Sequence, residues 1–129
     1  MEKFLPSKTS SAVSRLHLLL ALADVDDIAT RRAAGGAFAM LTDLKEVCGA
    51  IGEVERGVER VCRMVGDDDE DVGFRGVICV KNLIEYGDYK KEIEGTGVSG
   101  KTQLLMKRTA TARINDVCRE VLDMVANLK

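Results

Sequence analysis

The chain has 129 residues, 46% of them hydrophobic and 31% charged, with a formal net charge of −2. That size suits one domain, or about three helical repeats of roughly 40–47 residues each. The balanced charge gives no basic field for a nucleic-acid backbone, and 4% aromatics without tryptophan leave little for base stacking.

Residues 1–10 show no periodicity and are expected as a flexible N-terminus, leaving 11–129 as one helical domain. Ser10 or Ser11 can cap a first helix running to about Ala23, with Val13, Leu16, Leu19, Leu20 and Ala23 along one side. The apolar run at 16–22, ending in Ala21-Leu22-Ala23, mimics a secretory cleavage site. Arg15 beside it and His17 within it argue against that reading. No stretch is long enough to span a membrane, so the cytoplasm is the expected compartment.

Asp24–Asp27 is an acidic break that suits the N-terminus of a second helix, about Ile28–Leu41. This helix contains Gly35-Gly36, and a mid-helix glycine costs about 1 kcal/mol relative to alanine. Close approach of a neighbouring helix is one reason to keep the pair; the floor of a binding groove is the other. Thr42 or Asp43 is expected to cap a short helix carrying Leu44, Val47, Cys48 and Ile51. A further helix is read over Val54–Val65, from the stripe Val54, Val58, Val61, Cys62 and Val65.

Gly66 and the acidic Asp67–Asp71 follow, then a helix of about Val72–Tyr86 closed by Gly87. Tyr89–Glu94 reads as a short helix and Gly95–Gly100 as a glycine-rich gap. Lys101–Lys107 and Ala110–Leu128 complete an all-α chain, with Val117, Val121, Leu122 and Val125 on the inner side of the last helix.

Several motifs suggest chemistry. Gly95-Thr96-Gly97-Val98-Ser99-Gly100-Lys101-Thr102 satisfies GxxxxGK[ST], so Gly100, Lys101 and Thr102 are candidates for nucleotide phosphate and Mg²⁺. That chemistry needs a buried strand before the motif, and Lys90-Lys91-Glu92-Ile93-Glu94 is too charged to be one. Asp67–Asp71 resembles the start of a calcium loop, but Val72 stands where glycine is required and Ile78 where the bidentate Glu belongs. Cys48, Cys62, Cys79 and Cys118 lack close metal-ligand pairs and read as buried free thiols. No catalytic group, metal or cofactor is expected.

Arg32–Leu41 and Phe74–Leu83 align as two copies of one helical unit, Leu41 falling on Leu83, Ala34 on Gly76, Phe38 on Val80 and Met40 on Asn82. The offset of 42 residues is that of an armadillo or HEAT array, whose units stack and present a long surface to a partner. Ile78-Cys79-Val80-Lys81-Asn82-Leu83 resembles the W-A-L-x-N-L pattern of the third helix of an armadillo repeat. In that family the Asn carboxamide both donates to and accepts from an extended peptide backbone, a role that would fall to Asn82.

Arg31–Thr42, Phe74–Ile78 and the final helix with Ala112-Arg113 look like the C-terminal part of the UCS domain of myosin chaperones, over about residues 30–129. This resemblance implies a right-handed armadillo solenoid that binds the myosin motor domain and assists its folding or stability. It places Gly36, Met40, Ile78 and Asn82 on the inner face, with Arg31, Arg32, Arg75 and Lys81 on or beside it. Animal members add a helical-repeat domain for heat-shock chaperones, which this sequence lacks. The chain is far shorter than a UCS domain, so it is expected to be a fragment or a truncated relative. A generic armadillo or HEAT scaffold for another protein, and a P-loop nucleotide binder, are the alternatives.

Overall fold

The computed structural model describes the backbone of residues 8–128 and the side chains of residues 11–128. Among them are eight helices and no strand: α1 (Lys8–Leu22), α2 (Ile28–Leu41), α3 (Lys45–Ile51), α4 (Gly57–Met64), α5 (Glu70–Tyr86), α6 (Lys90–Glu94), α7 (Val98–Arg108) and α8 (Ala112–Ala126). Of the expected flexible start, residues 1–7 lie outside the described residues, and the chain is already helical from Lys8. No helix among the described residues is long and apolar enough to cross a membrane.

The long helices α2, α5 and α8 begin at residues 28, 70 and 112, so each starts 42 residues after the one before. The spacing seen in two sequence copies therefore has a third member. Helix α5 packs between α2 and α8, while α1 lies against α2, α4 against α5 and α7 against α8. One continuous apolar core runs from Leu16 to Leu128 and includes Phe38, Val61, Val80, Leu83, Leu105 and Val121. Burying side chains of this size contributes about 1.5–3 kcal/mol each, which holds the helices together without long-range strand pairing.

The local chemistry of the helix ends explains most boundaries. Asp27 caps α2 by accepting from the Thr30 amide at 2.9 Å and its hydroxyl at 2.6 Å. These two bonds hold the Asp27 carboxyl below the usual carboxylate range. Asp69 caps α5 in the same way through the Val72 amide at 3.0 Å. The start of the fourth helix expected at Val54 is corrected: Val54 is buried but lies in a turn, and α4 begins only at Gly57. Arg56 before it is left-handed at φ 55°, and an alanine Cβ at Gly57 would sit 2.5 Å from the Ile51 carbonyl oxygen. A tight reversal, not helix, joins α3 to α4, which packs against α5.

Two other boundaries move. Thr42 does not cap α3; it ends α2, and its hydroxyl donates to the Ala39 carbonyl at 2.9 Å. The glycine-rich gap at 95–100 is shorter than expected, because α7 starts at Val98 behind a left-handed Gly97. Val98 and Leu105 are both buried, so core contact extends the helix toward its N-terminus across Gly100.

All four cysteines are free and buried. Burial pushes the Cys48 and Cys118 thiols up to about 11 and the Cys79 thiol to about 12. They remain protonated at neutral pH, and a protonated thiol is a poor nucleophile. Among the described residues no group of three or more His, Cys, Asp and Glu side chains is placed to hold a metal ion.

Candidate functional site

The exposed sides of α2, α5 and α8 enclose an open groove of about 430 Å³. Helix α2 contributes Met40 to it, α5 contributes Arg75, Ile78, Lys81 and Asn82, and α8 contributes Arg113 and Val117. Five of the residues named from sequence thus meet in one place, although the first and last of the three helices are more than seventy positions apart. Met40 is 76% exposed, an unusual state for a large apolar side chain. Ile78 and Val117 are half-buried beside it.

Asn82 is buried, which its polarity did not foretell. Its Nδ2 donates to the Thr42 hydroxyl at 3.0 Å, and that hydroxyl donates onward to the Ala39 carbonyl. The Thr42 oxygen can therefore only accept from Asn82, which fixes the carboxamide orientation. Among the described residues the Asn82 Oδ1 accepts no hydrogen bond, and the residue lines the groove. One end of the carboxamide ties α5 to the C-terminus of α2; the other belongs to the groove lining.

Arg31 and Arg32 stand elsewhere, and this corrects their expected place beside the groove. Arg31 pairs with Asp67 at 3.0 Å, each side chain only 14% exposed, and also donates to the carbonyls of Val25 and Asp26. Arg32 pairs with Asp69 at 2.6 Å. The acidic stretch before α5 is thus a clasp: Arg108 reaches the Asp67 and Asp68 carbonyls from α7, and Thr109 donates to Glu70 at 2.9 Å. It joins the segments around α2, α5 and α7, not a calcium ion.

This clasp makes a testable contribution to stability. Arg32 first, and the Val72 amide after it, hold the Asp69 carboxyl below its ordinary value of 3.8. Its stabilising effect is complete above that ordinary value and fades as pH falls through the lowered folded value. Asp69→Ala, which removes cap and ion pair together, is expected to cost roughly 1–2 kcal/mol in urea unfolding at pH 7. The loss relative to the parent should shrink in acid; an equal loss at pH 7 and pH 2.5 would show that the carboxylate charge is irrelevant.

The two glycines of the pair differ in their surroundings. A Cβ at Gly35 would meet the Met64 side chain at 3.3 Å and Arg75 Cβ at 3.6 Å, so Gly35 serves helix packing. Gly36 is half-buried, and a Cβ there would meet only Arg75 Nε, at 4.0 Å. A side-chain methyl would fit there in ordinary contact, so packing does not require this glycine.

The P-loop geometry is absent. Helix α6 occupies the place of the required strand, and Thr102 is buried with its hydroxyl donating to the Val98 carbonyl at 2.7 Å. Lys101 Nζ is 3.4 Å from the Thr96 carbonyl, and Gly100 lies inside α7. Gly100, Lys101 and Thr102 are the first turns of an ordinary helix. A cavity of about 610 Å³ does adjoin this segment and includes Arg56, Arg63, Lys91 and Lys101. Its cations already surround an internal anion: Arg56 holds Glu59 through bonds of 2.9 and 2.6 Å, with Arg63 and Lys101 adding to the attraction.

Arg113 and Val117 were missed from sequence as groove residues. The signal was available: Val117 follows Arg75 by 42 positions, the same offset that relates Asn82 to Met40. It needed the third copy, which carries no visible likeness to the first two.

No family model matches this chain, and no solved structure matches it. Over 93 residues, 71% of the chain, it is 36% identical to ring assembly protein 3 of Schizosaccharomyces pombe. The chain spans about an eighth of that protein's length, 12%.

Proposed function

We propose that the chain is a non-enzymatic protein-binding module of the UCS type, acting in the cytoplasm on the myosin motor domain to assist its folding or stability. The three units built on α2, α5 and α8 are read as a right-handed armadillo array of about three repeats. The observation that carries the reading is the groove: Met40, Ile78 and Asn82 face it from adjacent helices, with the Asn82 Oδ1 unused. A free carbonyl oxygen among exposed apolar groups suits an extended polypeptide, which offers N–H donors and side chains in alternation. The similarity to a protein named for ring assembly supports the same direction. Heat-shock chaperones would enter only through segments outside this sequence.

Binding of the purified chain to a myosin motor domain, by interferometry, tests this. Asn82→Ala is expected to weaken binding about fivefold to tenfold, one neutral hydrogen bond's worth. Thr42→Val removes the internal partner that orients Asn82, so it should lower stability and weaken client binding less than Asn82→Ala does, because the carboxamide oxygen is still present at the groove. Equal loss in both variants would make Asn82 purely structural. Capture of other proteins but not the motor would leave a generic scaffold in its place.

A further inference from the structure

Arg75 Nε is buried and has no hydrogen-bond partner; its neighbour Asp71 Oδ1 is 3.8 Å away, beyond hydrogen-bond reach. A buried donor left unpaired is unfavourable, and it becomes favourable when an acceptor arrives. The rest of the Arg75 side chain is 39% exposed, so its terminal nitrogens reach the groove beside the buried Nε. Arg113 stands across the groove with its guanidinium 5.8 Å from the centre of the Phe74 ring. Among the described residues it forms no ion pair, whereas Lys81 is drawn toward Glu120 at 3.5 Å. Two arginines with unused donors therefore flank the apolar surface of Met40, Ile78 and Val117, outnumbering the one carboxylate in the groove lining, Asp43.

We propose that the groove selects an extended client segment that places a carboxylate side chain on the same face as a large apolar one. The inference rests on the protein-binding reading above and adds the chemistry of the segment. Arginine forks bind carboxylates with paired, charge-assisted hydrogen bonds, which neither a neutral amide nor a lysine on the client can return. The apolar side chain covers Met40, and the strand-like backbone passes the Asn82 oxygen. In an extended chain, residues two apart share a face, so one carboxylate and one leucine at that spacing meet both requirements.

Fluorescence polarisation with labelled peptides of about ten residues tests it, using Leu and Glu two apart and versions with Gln or Lys in place of Glu. At physiological salt the Glu peptide should bind about tenfold tighter than the Gln peptide, and the Lys peptide weaker still. Arg113→Gln, at an exposed position, should lower the Glu-to-Gln ratio severalfold, Arg75 still being present, and weaken the Glu peptide far more than the Gln peptide. Equal binding of the Glu and Gln peptides, or preference for Lys, overturns the proposal. If the motor domain binds while those peptides do not differ, carboxylate selection fails and the protein-binding reading stands. If neither the motor nor any peptide binds, both fail.

Discussion

Gly76→Ala is expected to lower the melting temperature of this chain by roughly 10 °C, reflecting about 2–3 kcal/mol of overpacking. Alanine is the better helix former by about 1 kcal/mol, so propensity alone gives the opposite sign. Packing decides. A Cβ at position 76 would lie 2.7 Å from the Val65 backbone nitrogen and 2.9 Å from the Met64 carbonyl carbon. Backbone atoms cannot rotate aside as a side-chain end can, so α4 and α5 would have to separate. Val61, Val65, Val77 and Val80, all fully buried in the core these helices share, would then lose contacts. Gly100→Ala is the natural control, because nothing lies within 4 Å of a Cβ there and the position is exposed in α7. It should raise stability by up to about 1 kcal/mol. Calorimetry on both variants checks the pair; a stabilised Gly76→Ala protein would mean that α4 and α5 are not pressed together as described.

Under the proposed function, Met40→Glu is expected to reduce binding of the myosin motor domain by at least about tenfold while leaving the melting temperature within roughly 2 °C of the parent. Met40 is 76% exposed, and glutamate is about as good a helix former, so the fold has little to lose. A client that covers this methionine loses the burial of a large apolar side chain, worth about 1.5–3 kcal/mol, and must desolvate a charge instead. The new carboxylate would also compete for Arg75 and Arg113, which line the same groove. An unchanged affinity would place the client on another surface.

Much of the architecture was legible before any coordinate. Of the stripe Val13, Leu16, Leu19, Leu20 and Ala23, the second, fourth and fifth are buried and Val13 and Leu19 half-buried; Val54, Val58, Val61, Cys62 and Val65 are all buried. The bounds of α2 followed from the Asp27 cap, and the end of α5 from Gly87. Where the reading slipped, a contact between distant segments had overridden a local rule. Thr42 had the composition of a helix cap but satisfied its hydroxyl against Ala39 and Asn82. Gly95–Thr102 had the spelling of a phosphate loop, yet burial of Val98, Thr102 and Leu105 made it the start of a helix.

By itself, the sequence determined that this protein is helical, that two of its long helices lie 42 residues apart, and which side of the first and fourth helices carries the core; in α8 it placed Val117, Leu122 and Val125 inside, whereas Ile114 and Cys118 are buried with Val121. These properties are set by local periodicity, which side-chain geometry imposes within a few turns. The tertiary structure decided what periodicity leaves undefined: which charged side chain meets which. Arg31 and Arg32 went to Asp67 and Asp69, 36 and 37 positions away, while Arg75 and Arg113 were left facing a groove. It also decided that the small residue shared by Ala34 and Gly76 must be glycine in the second copy alone, because only there does a neighbouring backbone come within 3 Å of the missing Cβ. Such distances arise from how whole helices pack, and no window of sequence contains both partners.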